Sequence, residues 1–321
     1  MNYGKFYQQP DLKELYSNYS YLTYKIRTGG YYYAFGNPNL EPQRTTAYEV
    51  GLARILTPSS KIEVSAYYKT IKGLSQVTTI PSNPNNFSSF RNRDFGTVRG
   101  LDLQIYSERV NRVQGAVNYS LSFAEGTGSI SQSQRNIAWT SSEPPKQTSP
   151  LAFDQRHKLS ASLDYRYAKD DGPEVLGRKI LSNFGVDLLF TAASGLPYTP
   201  VQVFNEVTLN AVSLIPSGPI NSRYGPWTYQ LDMKVDREFD MGPTKLDAFI
   251  WVQNLLDRDN PVNVYSSSGL ADNTGWLATP EGQGWLAANG PEAQARYDLA
   301  QRDPRNFSIP RIVRIGFRTS F

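Results

Sequence analysis

The 321 residues carry 33 basic and 29 acidic side chains, a net charge of +4, one histidine and no cysteine. Disulfides and thiolate metal sites are excluded, and a lone His157 argues against a histidine metal centre or a His-dependent triad. The charges are interspersed without a run of five like signs, so nothing marks a nucleic-acid surface. No window of about 18 apolar residues offers a membrane helix. Aromatics are high at 13%, with 21 tyrosines, a residue suited to the boundary between lipid and water.

The chain opens on residues 1–8, which read as the end of a strand and not as a signal peptide. From there the pattern is period two, the signature of strands with two unlike faces. Residues 46–55 set Tyr48, Val50 and Leu52 against Glu49, and 61–71 set Ile62, Val64, Ala66 and Tyr68 against Lys61, Glu63, Ser65 and Lys69. Residues 101–106 alternate Leu101, Leu103 and Ile105 with Asp102 and Gln104. The same alternation runs through 113–123, 158–167, 184–192, 229–236 and 245–253. In the final segment Val313, Ile315, Phe317 and the terminal Phe321 point one way, broken by Thr319, while Arg314 and Arg318 point the other. The count is ten strands. Helical periodicity is confined to a short stretch near 292–302 inside a loop.

The connections alternate in length. Short turns fall at 56–60, 109–111 and 240–243, with an intermediate link at 168–179; long loops span 9–44, 73–95, 124–152, 193–226 and 256–310. Tight turns on one side and long loops on the other are the layout of an outer-membrane barrel. A soluble β-sandwich also alternates, but the one-sided loops and the terminal aromatic favour an all-β antiparallel transmembrane β-barrel.

The stretch Gly36-Asn-Pro-Asn-Leu-Glu-Pro-Gln-Arg-Thr-Thr-Ala-Tyr-Glu-Val-Gly-Leu52 resembles the strand entry of TonB-dependent outer-membrane receptors. Gln9-Pro-Asp-Leu-Lys-Glu-Leu-Tyr16, Val98-Arg-Gly-Leu-Asp-Leu103 and Val252-Gln-Asn-Leu-Leu-Asp257 are similar to further motifs of that family, in order. Phe153-Asp-Gln-Arg-His157, Ser194-Gly-Leu-Pro-Tyr-Thr-Pro200 and Asp303-Pro-Arg-Asn-Phe-Ser-Ile-Pro310 look like its large-looped, Oar-like or carboxypeptidase-regulatory-like branch. The resemblance implies a barrel of 22 strands with a plug inside. The ten strands of residues 1–321 match its last ten, with the signal peptide, TonB box and plug expected to be absent from this chain. It implies a nutrient receptor of the Gram-negative outer membrane, taking up a siderophore, glycan or peptide. Its partners would be outer-membrane lipid, the barrel-assembly machinery reading Val313, Ile315, Phe317 and Phe321, and TonB acting through the plug. A passive porin or adhesin barrel, and a soluble carbohydrate-binding β-protein, are the alternatives.

No catalytic, metal or cofactor site is expected. His157 at a strand entry reads as a structural hydrogen-bonding group, and Asp170-Asp171 as a solvated turn. The candidate ligand contacts are loop aromatics, Tyr198, Tyr224 and Trp227 on one long loop and Tyr265, Trp276 and Trp285 on another, which could grip a ligand or pack the loops together. Charges on the polar strand faces, among them Glu63, Asp102, Asp164, Arg166, Asp232, Lys234 and Asp247, are expected to line a wet interior.

Overall fold

The computed structural model describes residues 1–30, 33–133, 146–175, 178–205, 207 and 215–320. Ten long strands form one antiparallel sheet in sequence order: β1 (Asn2–Gln8), β2 (Gln43–Thr57), β3 (Ser60–Ile80), β4 (Phe87–Val110), β5 (Val113–Gly126), β6 (His157–Arg166), β7 (Phe184–Ala193), β8 (Thr228–Met241), β9 (Thr244–Gln253) and β10 (Ile312–Ser320), with the two residues Ser149–Pro150 adding a short eleventh strand against the end of β5. Each strand pairs with its sequence neighbours. Among the described residues β1 and β10 do not pair, so the sheet is an open arc of wall. Phe321 and parts of the loops 9–44, 124–152 and 193–226 and of the link 168–179 lie outside the described residues.

Register carries the two-faced pattern across the whole sheet. Leu52, Val64, Leu103, Tyr119, Leu159, Ala192 and Tyr229 form one continuous cross-strand row. Tyr165, Val186, Val235, Ile250 and Ile315 form another. A slip of one residue anywhere would turn a strand's apolar set to the other face. These rows are open at the ends of the arc, where Leu52 is 79% exposed and Ile315 72%, and half-buried to buried between them, as at Ala192. A contiguous apolar face of this extent is untenable in water and suits lipid. The charged residues named above share the opposite face, and the cavities open there, which makes it concave.

The short turns are tight. Asn111 and Arg112 both have positive φ, 47° and 74°, the mirror-image turn whose twist matches two antiparallel strands. The left-handed conformation is costly for an arginine. Arg112 is held there by two bonds to Asp171, Nε–Oδ2 2.8 Å and Nη2–Oδ1 2.9 Å. The Arg112 guanidinium, with the Gly172 amide, keeps the Asp171 carboxyl below the usual range.

At the other end the predicted loop 73–95 is corrected. β3 and β4 continue as a hairpin to Ile80 and Phe87, giving strands of 21 and 24 residues. The extension is stabilised by its own small core: Val77, Phe90 and Leu40, with Leu15 and Ala34 packed against it. Gly36-Asn-Pro-Asn-Leu40 docks on this hairpin. Asn37 donates to the Phe90 carbonyl at 2.9 Å and accepts from the Asn39 amide at 3.0 Å, turning the chain back into the sheet. Helices α1 (Leu12–Tyr16) and α2 (Leu22–Thr28) precede it.

Candidate functional site

The long connections gather over the upper end of the wall, and the motif Phe153-Asp-Gln-Arg-His157 is their anchor. Asp154 is 2% exposed. Its Oδ1 accepts from the Ala124 amide at 2.9 Å and its Oδ2 from the Tyr224 hydroxyl at 2.6 Å. The Arg156 guanidinium lies over the Tyr224 ring at 4.5 Å and over Phe123 at 5.1 Å, with Asp154 3.6 Å away. Burial, then the bond to Asp154, pushes the Tyr224 hydroxyl up to about 12. Gln155 donates to the Ser194 carbonyl at 2.9 Å, the His157 amide donates to the Ser194 Oγ at 3.1 Å, and the Ser194 amide donates to the His157 carbonyl at 2.9 Å. One short motif thus ties β5, β6, β7 and the loop carrying Tyr224.

The His157 ring continues a column of stacked rings, Tyr119, His157, Trp227 and Tyr229, with centroids 6.1, 5.4 and 6.1 Å apart. Arg258 caps it 5.0 Å over Tyr229. His157 Nδ1 lies 2.8 Å from the Tyr119 hydroxyl. Among the described residues no three His, Cys, Asp or Glu side chains converge as a metal site would require.

The 256–310 loop is closed by the residues of its own strand exit. Asn254, fully buried with φ 52°, donates to the carbonyls of Arg258 at 3.0 Å and Ile309 at 3.3 Å. Asp257 accepts from the Arg311 amide at 3.0 Å, joining the two ends of the loop. Inside it stand α3 (Pro280–Asn289) and α4 (Pro291–Gln301). Sequence periodicity located only the second, because Gly282 and Gly284 interrupt the first. Trp276, Trp285 and Tyr297 pack together with centroids 5.2–5.9 Å apart. The Tyr265 hydroxyl donates to the Gln301 carbonyl at 2.7 Å, and Tyr198 lies against Gly269, where a Cβ would meet its hydroxyl. The candidate aromatics therefore fall in three places. Tyr224 is in the Asp154 anchor, Trp227 is in the stacked column at 40% exposure, and Tyr198, Tyr265, Trp276 and Trp285 organise the largest loop.

Beneath the loops the concave face holds a cavity of about 720 Å³ lined by Asp102, Gln104, Asn118, Lys158, Ser160 and Gln230. Lower down, Arg166 reaches across β7 to Asp236 on β8 in a bidentate pair, 2.7 and 2.9 Å. Gly185 lies between them in register with both, and a Cβ there would sit 2.4 Å from the Arg166 guanidinium. Asp187 and Asp164 flank the same guanidinium at 3.6 and 3.5 Å, and Lys234 reaches Asp236 at 3.5 Å. The sequence marked Asp164, Arg166 and Lys234 as interior. It did not mark the bridge, whose signal is a glycine directly between an arginine and an aspartate in register.

An open arc of meandering strands, apolar outside and charged inside, with tight turns below and long loops above, is wall of an outer-membrane-type β-barrel. The TonB dependent receptor-like β-barrel family model matches residues 1–255, and the chain belongs to that family. Among solved structures it is similar to the FpvAI–pyocin S2 complex at 12% identity, covering 99% of this chain and 29% of that one with a TM-score of 0.52. It is also similar to the ferripyoverdine receptor of the outer membrane of Pseudomonas aeruginosa, at 13% identity, 83% and 28% coverage and TM-score 0.49. A third is the outer-membrane transporter YddB from Escherichia coli, at 10% identity, 70% and 30% coverage and TM-score 0.49. The chain spans about three tenths of the length of these structures. No curated protein matches it in sequence.

Proposed function

We propose that this chain is part of the wall of an outer-membrane receptor that actively takes up a scarce nutrient such as a siderophore, glycan or peptide. The carrying observation is the asymmetry of the wall. The convex row from Leu52 to Tyr229 is apolar, the concave face is charged, and every long loop leaves from one end. On this reading residues 1–321 are a barrel region, further strands complete the wall that β1 and β10 leave open, and a plug coupled to TonB gates the interior. The unpaired edges support it, since lipid does not tolerate open strand edges. The loop aromatics Tyr198, Tyr224, Tyr265, Trp276 and Trp285 contribute to capture, whereas Trp227, stacked on Tyr229 of the convex row, faces outward. The Asp154 anchor, which organises the large loops, supports placement in the large-looped branch. Val313, Ile315 and Phe317, all outward and exposed, serve with Phe321 as the assembly signal.

The test is uptake of labelled candidate nutrients by cells carrying the receptor that contains this wall, before and after collapse of the proton-motive force. Surface binding should survive the collapse and import should stop. Import that continues unchanged would establish a passive pore and overturn the active reading.

A further inference from the structure

The upper margin of the convex face changes character within three cross-strand rows. The first, Tyr3, Tyr48, Tyr68, Arg99 and Phe123, is an aromatic girdle, with the Tyr3 and Tyr48 rings 5.1 Å apart and Arg99 over Phe123 at 5.7 Å. The next is Lys5, Thr46, Thr70, Thr97 and Glu125, and the third is Tyr7, Arg44, Lys72 and Phe95. Lys5, Arg44, Lys72 and Arg99 are all exposed. Glu125 is the sole carboxylate of these rows, and it lies 3.8 Å from Arg99. Lys5, Arg44 and Lys72 have no acidic partner within 4.0 Å among the described residues.

Arg44 and Lys72 sit directly opposite each other on neighbouring strands. Like charges in that position destabilise a sheet, so an external anion is the natural counter-charge. Their height says which. Two to four residues above Tyr48, the span from Lys5 to Arg44 and Lys72, is about 7–13 Å along a strand and roughly 5–10 Å above the girdle after tilt, which runs through a headgroup layer about 5–7 Å thick to its outer edge. The exposed flanking rings Tyr7 and Phe95 keep the row at an interface.

We infer that Lys5, Arg44, Lys72 and Arg99 form a binding strip for the phosphate of anionic lipid headgroups in the leaflet facing the long loops. The inference rests on the membrane reading of the convex face. It also gives this wall a fixed height and a lipid preference that an apolar band alone cannot supply.

The test uses the receptor that contains this wall, in neutral detergent, titrated with phosphatidylglycerol, phosphatidylcholine or inorganic phosphate, with retained lipid read by native mass spectrometry. Phosphatidylglycerol should be retained in preference to phosphatidylcholine, lose retention as salt is raised, and not be displaced by inorganic phosphate. Arg44→Ser with Lys72→Ser should weaken its retention about tenfold. This variant relieves a repulsion, so it is expected to fold no worse than the parent. Arg44→Lys with Lys72→Arg should keep the preference, as should Lys69→Ser on the opposite face of the same strand. Equal retention of the two lipids, or an equal loss in Lys69→Ser, overturns the lipid strip alone. A chain that stays monodisperse without detergent overturns the membrane reading and the strip with it.

Discussion

On the convex face Leu163, Leu188, Met233, Val252 and Val313 lie side by side across five strands; one residue along the same strands, Asp164, Asp187, Lys234, Trp251 and Arg314 form the neighbouring concave row. The two rows share one backbone ladder, yet they are held by different physics. The convex row needs no partner, since lipid accepts any apolar side chain of any shape. The concave row needs specific partners, because charges packed this closely must be matched in sign. A residue's tolerance should therefore follow its parity and not its depth in the sequence.

The sharpest way to break this comparison is a pair of substitutions one residue apart. Leu188→Arg puts a cation on the lipid face near mid-band and should destabilise the wall in bilayers by about 2–4 kcal/mol. Leu189→Arg faces the wet concavity beside Asp232 and should cost under about 1 kcal/mol. Denaturant unfolding in lipid vesicles measures both, and equal losses would erase the distinction between faces.

The next effect sharpens the concave side. Asp236→Ala leaves the Arg166 guanidinium beside two further aspartates but without its bidentate partner. Removing one member of a buried pair is strongly destabilising; Arg166 is a third exposed, which reduces the expectation to about 1–2 kcal/mol. Gly185→Ala should cost less, because the guanidinium is the flexible end of a long side chain and can swing aside. It can do so only by releasing Asp236. The two losses should therefore be non-additive, with Gly185→Ala nearly silent in the Asp236→Ala background. Additive losses would show that Gly185 acts on the backbone and not on the bridge.

The face pattern was legible because parity depends on side-chain type alone. All ten strands, the tight turns and the interior placement of Glu63, Asp102, Arg166 and Lys234 follow from alternation. The extension of β3 and β4 beyond residue 72 was not, because Gln76, Thr78, Ser88 and Ser89 carry polar groups that read as loop. There the pleat is stabilised by Val77 and Phe90 packing on Leu40 from a distant segment, a contact no local pattern contains. The loop aromatics were found as residues but not as groupings. Which rings stack on which depends on the path of long loops, as with Trp227 reaching His157 seventy positions away. The motif residues Asn37, Asp154, Asn254 and Asp257 stand between the two cases. Their type announces a turn or cap, and the structure adds which carbonyl or amide each one meets.

The smallest effect concerns the Asp154 anchor, where buried charge and long loop meet. Tyr224→Phe removes the donor to Asp154 Oδ2 and leaves the ring under Arg156. Asp154 keeps its bond from Ala124, so the cost is that of one charge-assisted bond, about 1 kcal/mol. It should show as faster amide exchange in residues 194–205 and 221–226, not as global unfolding. The pH dependence has a definite sign. The Tyr224 hydroxyl titrates at about 12 in the folded chain against an ordinary 10.0, so the folded state holds this proton more tightly. Its contribution is complete below pH 10 and disappears as pH rises through about 12. Amide exchange in these segments should accelerate across that window in the parent and lose that component in Tyr224→Phe. An unchanged profile in the variant would mean that stacking under Arg156, and not the bond to Asp154, secures the loop, and the anchor would then belong with the partner-free packing of the convex face.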